Sequence, residues 1–229
     1  MRTRSPCELQ IERDLDMTEK TIVERIVNNL LLLCLIHRAN ELGRVEDDLK
    51  AQKLTFLIEK QFVQNGLRGL TYNFFRWHKG PYCGPLSNDI RALIASGLLG
   101  RTSSGFELTK DGKDLTNQCG ELLARNSVFM EIIDSVLKDY ASLPPDKIKE
   151  MVYKMSIFVP KLRKVMKIED VPQGQLMLFN LSEKKARGVF DVDESWLATL
   201  EVVLDADTLT SLKASQEDAV NGRICTPAL

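Results

Sequence analysis

Apolar residues recur at Ile22, Ile26, Leu30 and Leu33, with Val23, Val27, Leu31 and Cys34 beside them. The period is helical and the apolar positions cover most of the helix surface. The spacing therefore predicts a heavily buried central helix, with Thr18 placed to cap it. A second helix is predicted over 46–65, with Leu54, Leu57, Ile58 and Phe62 inward and Gly66 as its stop. The period then drops to two. Tyr72, Phe74 and Arg76 share one face of a short aromatic strand, and Asn73, Phe75 and Trp77 share the other. Gly80-Pro81 and Gly84-Pro85 punctuate the chain twice, because proline brings no N–H and glycine opens positive φ; the strand is expected to stop there, with Gly84 at positive φ. Helical spacing returns at Leu86, Ile90, Leu93 and Ile94, and Gly97 ends that helix. A hairpin follows: Leu98 and Leu99 go up, Ser103-Ser104-Gly105 turn, and Phe106 and Leu108 return. Strand, Gly-Pro turn, short helix and hairpin is the order of a winged helix.

Thr109 is placed to cap the next helix, which carries Leu115, Leu122 and Leu123 towards a run with Val128, Ile132, Ile133 and Val136. Leu143-Pro144-Pro145-Asp146 breaks it, and a proline-started helix over 146–155 follows. From Ser156 to Gly188 short basic pieces alternate with prolines and glycines and show no period, which reads as a connector. Beyond Val192, Asp193 or Ser195 can cap a helix with Trp196, Leu200, Val203 and Leu204 on one face. Asp205 can cap another with Leu209, Leu212, Ala219 and Val220, and Arg223-Ile224 can extend as a strand. This tail has too little apolar surface to fold alone and must lie on something, in this chain or another. The expected fold is mainly α with a small β wing. It has a flexible arm over 1–17, a winged-helix-like body over 18–140, a helical connector over 141–191 and an acidic, amphipathic partner-binding segment over 192–229.

Three stretches carry a resemblance. The run from Lys79 to Leu99, KGPYCGPLSNDIRALIASGLL, resembles the YGPYS…L…D…L…GLI segment of the Panacea (SocA-like) and YwgA-like domains. Lys53-Leu54-Thr55-Phe56-Leu57 stands where those domains have LQKLLYL, and Phe106 to Gly112 is similar to their closing LTEKG strand. The motif falls on Lys53, Trp77, Gly80, Pro81, Tyr82, Leu86, Asp89, Leu93 and Gly97, and the likeness spans residues 19–125. It implies a small winged-helix-like module of the kind found as antitoxins and as proteolysis or partner adaptors in bacteria and phages. A second stretch, Leu200 to Ile224, resembles the toxin-binding tail of Phd/YefM/RelB-type antitoxins. Asp205, Leu209, Leu212, Ser215, Glu217, Asp218, Gly222, Arg223 and Ile224 match its spacing, whereas Ala206-Asp207 stands where that tail has a proline–acid pair. The second likeness implies partner contacts through Trp196, Leu200, Val203, Leu204, Leu209, Leu212, Glu217, Asp218, Arg223 and Ile224.

Composition refines this. The chain has 229 residues, 44% hydrophobic and 28% charged, with a formal net charge of −1, which gives no global pull towards nucleic acid. Locally, eleven cations face six anions over Lys50 to Arg125, and ten face five over Asp146 to Gly188. Two face eight over Val189 to Leu229, so a basic body carries an acidic tail. Five cysteines, odd in number and without a C-x-x-C, and no signal peptide point to reduced thiols in a cytoplasm; the apolar run at 29–36 is too short for a membrane span. A His78–Cys83 thiolate–imidazole pair lacks an orienting third group, and reads as a turn histidine beside a small buried thiol. Two histidines and scattered cysteines make no metal-ligand spacing, and no cofactor motif stands out. On the helix after the Gly-Pro turn, Arg91 stands against Asp89, a poor phosphate-seeking face even with Lys79 and Arg101 nearby. The expectation is a non-enzymatic cytoplasmic antitoxin, with neither cofactor nor metal, that neutralises a basic cognate toxin by direct binding. The alternative is a winged-helix regulator of operator DNA, or a proteolysis adaptor, without a toxin.

Overall fold

Thr21 opens the first helix: its hydroxyl accepts from the Glu24 N–H at 3.2 Å while the Glu24 carboxylate accepts from the Thr21 N–H at 2.8 Å. The computed structural model describes residues 20–204, so Thr18, expected as the cap, lies outside the described residues, as does the arm over 1–17. Helix α1 (Ile22–Leu42) is buried almost all round from Ile26 to Ile36, and Asn28 within it bonds both the N–H and the hydroxyl of Thr71. Helix α2 (Asp48–Gln64) is capped by the Asp47 carboxylate. It buries Leu54, Leu57, Ile58 and Phe62 as the pattern predicts.

Strand β1 (Leu67–Arg68) precedes the aromatic strand β2 (Phe74–Trp77), whose alternation places Phe74 and Arg76 inward. The Gly80-Pro81 pair does not end the sheet. His78-Lys79 make the turn, and β3 (Gly80–Tyr82) returns antiparallel with Trp77 opposite Gly80 and Phe75 opposite Tyr82. Gly80 is the glycine that needs positive φ, at +90°; Gly84 is simply the first residue of helix α3 (Gly84–Ala95), with open space where a Cβ would point. Leu86, Ile90 and Leu93 are buried, and Gly97 ends the helix. The expected hairpin follows as β4 (Leu99–Thr102) and β5 (Gly105–Leu108), with the turn confined to Ser103-Ser104 and Gly105 already paired with Thr102, and the Thr109 side chain caps α4 (Lys110–Gln118).

Helix α5 (Gly120–Arg125) links α4 to α6 (Ser127–Tyr140), which packs on α1 and α2, and α7 (Pro145–Lys154) packs on α2. In α6 the buried stripe is Phe129, Met130, Ile133, Val136 and Leu137; Val128, expected inside, is exposed. The stretch expected as a helical connector is helical mainly in α7. Beyond it, β6 (Ser156–Val159) and β7 (Lys164–Lys167) form a hairpin, and β8 (Leu176–Leu178) adds to β2 as the third strand of the β3–β2–β8 sheet. Strand β9 (Gly188–Val189) pairs in parallel with β1. A strand that completes another segment's sheet needs no period of its own, because its hydrogen bonds and inward side chains are set by the partner strand. Helix α8 (Glu194–Leu204) lies against α1, and a single buried cluster runs from Ile26 to Leu204. The fold is mainly helical with small sheets. No helix among the described residues is long and apolar enough to cross a membrane.

Candidate functional site

The first turns of α2 hold the β2–β3 hairpin and the turn after it by polar contacts. The Gln52 amide makes a two-point clamp on Cys83, donating to its carbonyl at 2.8 Å and accepting from its N–H at 2.9 Å. It also donates to the Ser87 hydroxyl at 3.1 Å. Lys53 donates from Nζ to the Pro81 carbonyl at 2.6 Å. From the other side, the Tyr153 hydroxyl of α7 donates to the His78 carbonyl at 2.8 Å, and the Arg76 guanidinium lies over the Tyr153 ring. Among the described residues β3 is an edge strand, and Lys53 together with Pro81 occupies backbone positions that would otherwise invite another strand.

These contacts frame a groove of about 350 Å³ lined by Asp48, Leu49, Gln52, Lys53, Ser87 and the run Trp77 to Tyr82. Lys53 is only 2% exposed. Burial, and secondarily the charge of Arg76, push its ammonium down to about 7, against a weaker opposing pull from Asp47. An amine of this kind exchanges its proton near neutrality and answers strongly to any charge placed above it.

The motif residues thus divide. Lys53, Trp77, Gly80, Pro81 and Tyr82, from two separate stretches, meet at the groove. Leu86 and Leu93 belong to the core, and Gly97 takes φ +77° at the end of α3. Asp89 accepts from the Tyr72 hydroxyl at 2.6 Å and lies 3.4 Å from Lys20 Nζ; burial, then Asp89, raises the Tyr72 phenol well above its ordinary range. Of the three cations expected near nucleic acid, one lines the groove and two contact its lining residues. Lys79 lines it, and Arg91 donates to the carbonyl of its lining residue Ser87 at 3.1 Å. Arg101 lies 3.5 Å from the Asp48 carboxylate. His78 is exposed in the turn against Trp77, whereas Cys83 is buried in the Gln52 clamp. Among the described residues no group of three His, Cys, Asp or Glu side chains is placed to hold a metal ion.

The expected partner-binding stripe is placed otherwise than the sequence suggested. Leu200 is fully buried and Leu204 nearly so, with Trp196 and Val203 packed partly against the same core. The first part of the stripe therefore anchors α8 to its own body. Asp193 begins that helix by accepting from the Trp196 N–H at 3.1 Å, and it pairs with Arg125. The Ser195 hydroxyl and then Arg125 hold its carboxyl down at about 2. Leu209, Leu212, Glu217, Asp218, Arg223 and Ile224 lie outside the described residues.

Sequence reading missed Gln52, Tyr153 and two further buried ionisable side chains on α2. Lys50 donates to the Ala141 carbonyl at 2.7 Å and lies 2.8 Å from Glu46, and burial holds the Glu59 carboxyl well above the usual carboxylate range. The available signal was the helix period: Lys50, Lys53 and Glu59 stand at positions flanked on the same turns by core residues.

No protein-family model matches this chain, and neither a curated protein nor a solved structure does.

Proposed function

We propose that this protein is a cytoplasmic antitoxin of a two-component toxin–antitoxin pair, a non-enzymatic protein that neutralises a basic toxin by direct binding. The observation that carries the reading is the gathering of Lys53, Trp77, Gly80, Pro81 and Tyr82 on one groove, with hydrogen bonds that shape backbone and leave an accessible concave surface. In this reading the body is a winged-helix-like module in which α3 precedes its wing, β4–β5. Helix α8 anchors the acidic segment, and the residues from Asp205 onward cover the toxin. Leu209 and Leu212 would supply apolar contacts and Glu217 and Asp218 would meet cations, with Arg223-Ile224 adding a strand to a sheet edge.

The test is co-expression with the product of the neighbouring reading frame, scored by growth and by pull-down. The full chain restores growth, and truncation after Leu204 leaves a folded body that does not. Leu209→Ala with Leu212→Ala loses most of the rescue. Full protection by the truncated body would move neutralisation to the groove. A second reading, a winged-helix regulator of operator DNA, draws on the placement of Lys79, Arg91 and Arg101 around one groove. In that reading their loss would weaken DNA binding and flatten its salt dependence. Arg101 already faces Asp48, and Arg91 folds back on its own helix to Ser87 and Asn88, which favours the first reading.

A further inference from the structure

We propose that the groove over Lys53 docks an acidic peptide segment of a partner protein, one of whose carboxylates completes the hydrogen bonding of the Lys53 ammonium. An ammonium carries three N–H donors. Lys53 gives one to the Pro81 carbonyl and meets no second acceptor among the described residues. Its side chain is nine-tenths buried and more, yet forms part of the groove lining, so what fills the groove is what reaches the remaining donors. The surrounding charge selects the sign of that occupant. Arg76, Lys79 and Lys149 all repel the Lys53 charge, against an opposing pull from Asp47. Asp48 also lines the groove, but faces Arg101.

The walls select the rest. Trp77 and Tyr82 offer flat apolar surface beside the buried cation, which suits an apolar side chain next to an acid. A volume of about 350 Å³ is at the small end of ligand sites and holds side chains of an extended segment. The spread of cations around Lys53 favours several linked carboxylates over one small anion. The inference shares its groove with the antitoxin reading but is argued from the charge and hydrogen bonding of Lys53, so a failed toxin rescue leaves it standing.

The test uses the full chain and a fluorescently labelled peptide alternating glutamate with leucine, followed by anisotropy. Affinity at pH 7 falls by about tenfold or more at pH 9, as Lys53 loses its proton. The same peptide with glutamine for glutamate does not bind. Lys53→Gln weakens binding and removes the pH dependence. Lys79→Glu, an exposed change at the rim, also weakens it, so the outcome does not hang on a buried variant folding. His78 lines the groove as well, and Tyr153 faces it from α7; His78→Asn retains the loss between pH 7 and pH 9. Equal affinity at the two pH values would overturn the proposal, as would binding unchanged in both Lys53→Gln and Lys79→Glu. So would displacement of the peptide by acetate or phosphate at matching concentration, which marks a small-anion site. Tighter binding of a single-stranded oligonucleotide at the same groove would overturn it too.

Discussion

At the groove, polar side chains hold backbone in place: Gln52 on Cys83, Lys53 on Pro81, Tyr153 on His78. Under α8, apolar side chains hold one helix on another, with Leu200 and Leu204 buried and Trp196, Leu197 and Val203 packed at the margin. The two regions divide stability and geometry between them. A neutral intramolecular hydrogen bond adds only about 1 kcal/mol net, because the unfolded groups bond water, but it fixes where each atom sits. A buried leucine contributes roughly 1.5–3 kcal/mol and is far less particular about position. A groove that must present one shape is built from the first kind of contact, and an anchor that must only stay attached from the second.

The comparison breaks most visibly when the anchor is removed. Truncation after Val192 strips α8 from α1 and exposes the surface that Leu200 and Leu204 cover. The loss is on the order of 5 kcal/mol, a large share of the stability of a domain this size. Calorimetry should show a melting temperature lower by roughly 10–20 °C, or no cooperative transition. Truncation after Leu204 keeps every contact described here and should melt with the full chain to within a few degrees. Equal melting of both truncated chains would show that α8 carries no stability.

How legible each region was in the sequence follows the same division. Helices α1, α2 and α3 and the β4–β5 hairpin were readable because a single segment both sets the period and buries the face. Leu86, Ile90 and Leu93 announce their own helix. Strands β8 and β9 were not, since Leu176–Leu178 and Gly188–Val189 take their structure from β2 and β1, about a hundred residues earlier in the chain. The groove was half legible. Its glycines, prolines and aromatics stand in one recognisable run, but Gln52 and Lys53 reach it from another helix and Tyr153 from a third. No spacing rule connects a helix side chain with the carbonyl it will meet 28 residues later. The stripe on α8 was legible as a stripe, but a stripe states that something covers it and not what.

A second way to sharpen the comparison separates the two Gly-Pro pairs. Gly80 has φ +90°, and a Cβ there would sit 3.4 Å from the Tyr153 ring. Gly80→Val forces a β-branched residue into a left-handed conformation and should cost about 1–3 kcal/mol. It should also disturb the Pro81 carbonyl that Lys53 holds. Gly84 opens α3 with no atom within 4 Å of a Cβ, so Gly84→Ala should leave the melting temperature essentially unchanged. Thermal melts of the pair give the answer: equal losses would mean that the turn at Gly80 is not the constrained one.

The most informative effect comes from Lys53→Met. The variant gives up the bond to Pro81 but also the burial of an ammonium among Arg76, Lys79 and Lys149. Near pH 7 these changes oppose each other, and relief of the buried ammonium outweighs the one lost hydrogen bond, so the variant should be the more stable there. The pH dependence then separates them. The folded-state value for Lys53 lies near 7, below its ordinary 10.5. Between those values the unfolded chain holds a proton that the folded chain has released. The unfolded state binds more protons there, so the Lys53 contribution to stability rises with pH from 7 to 10.5 and levels off above it. Below pH 7 both states are protonated and the full cost of burying the charge is present. Lys53→Met has no such dependence. Chemical denaturation of both proteins across pH 7 to 10 removes the contribution of every other titrating group by difference. The wild type should gain on the variant throughout that window, by at most about 1.4 kcal/mol per unit. Parallel curves would show that Lys53 keeps its charge in the folded protein, held by contacts stronger than the one to Pro81.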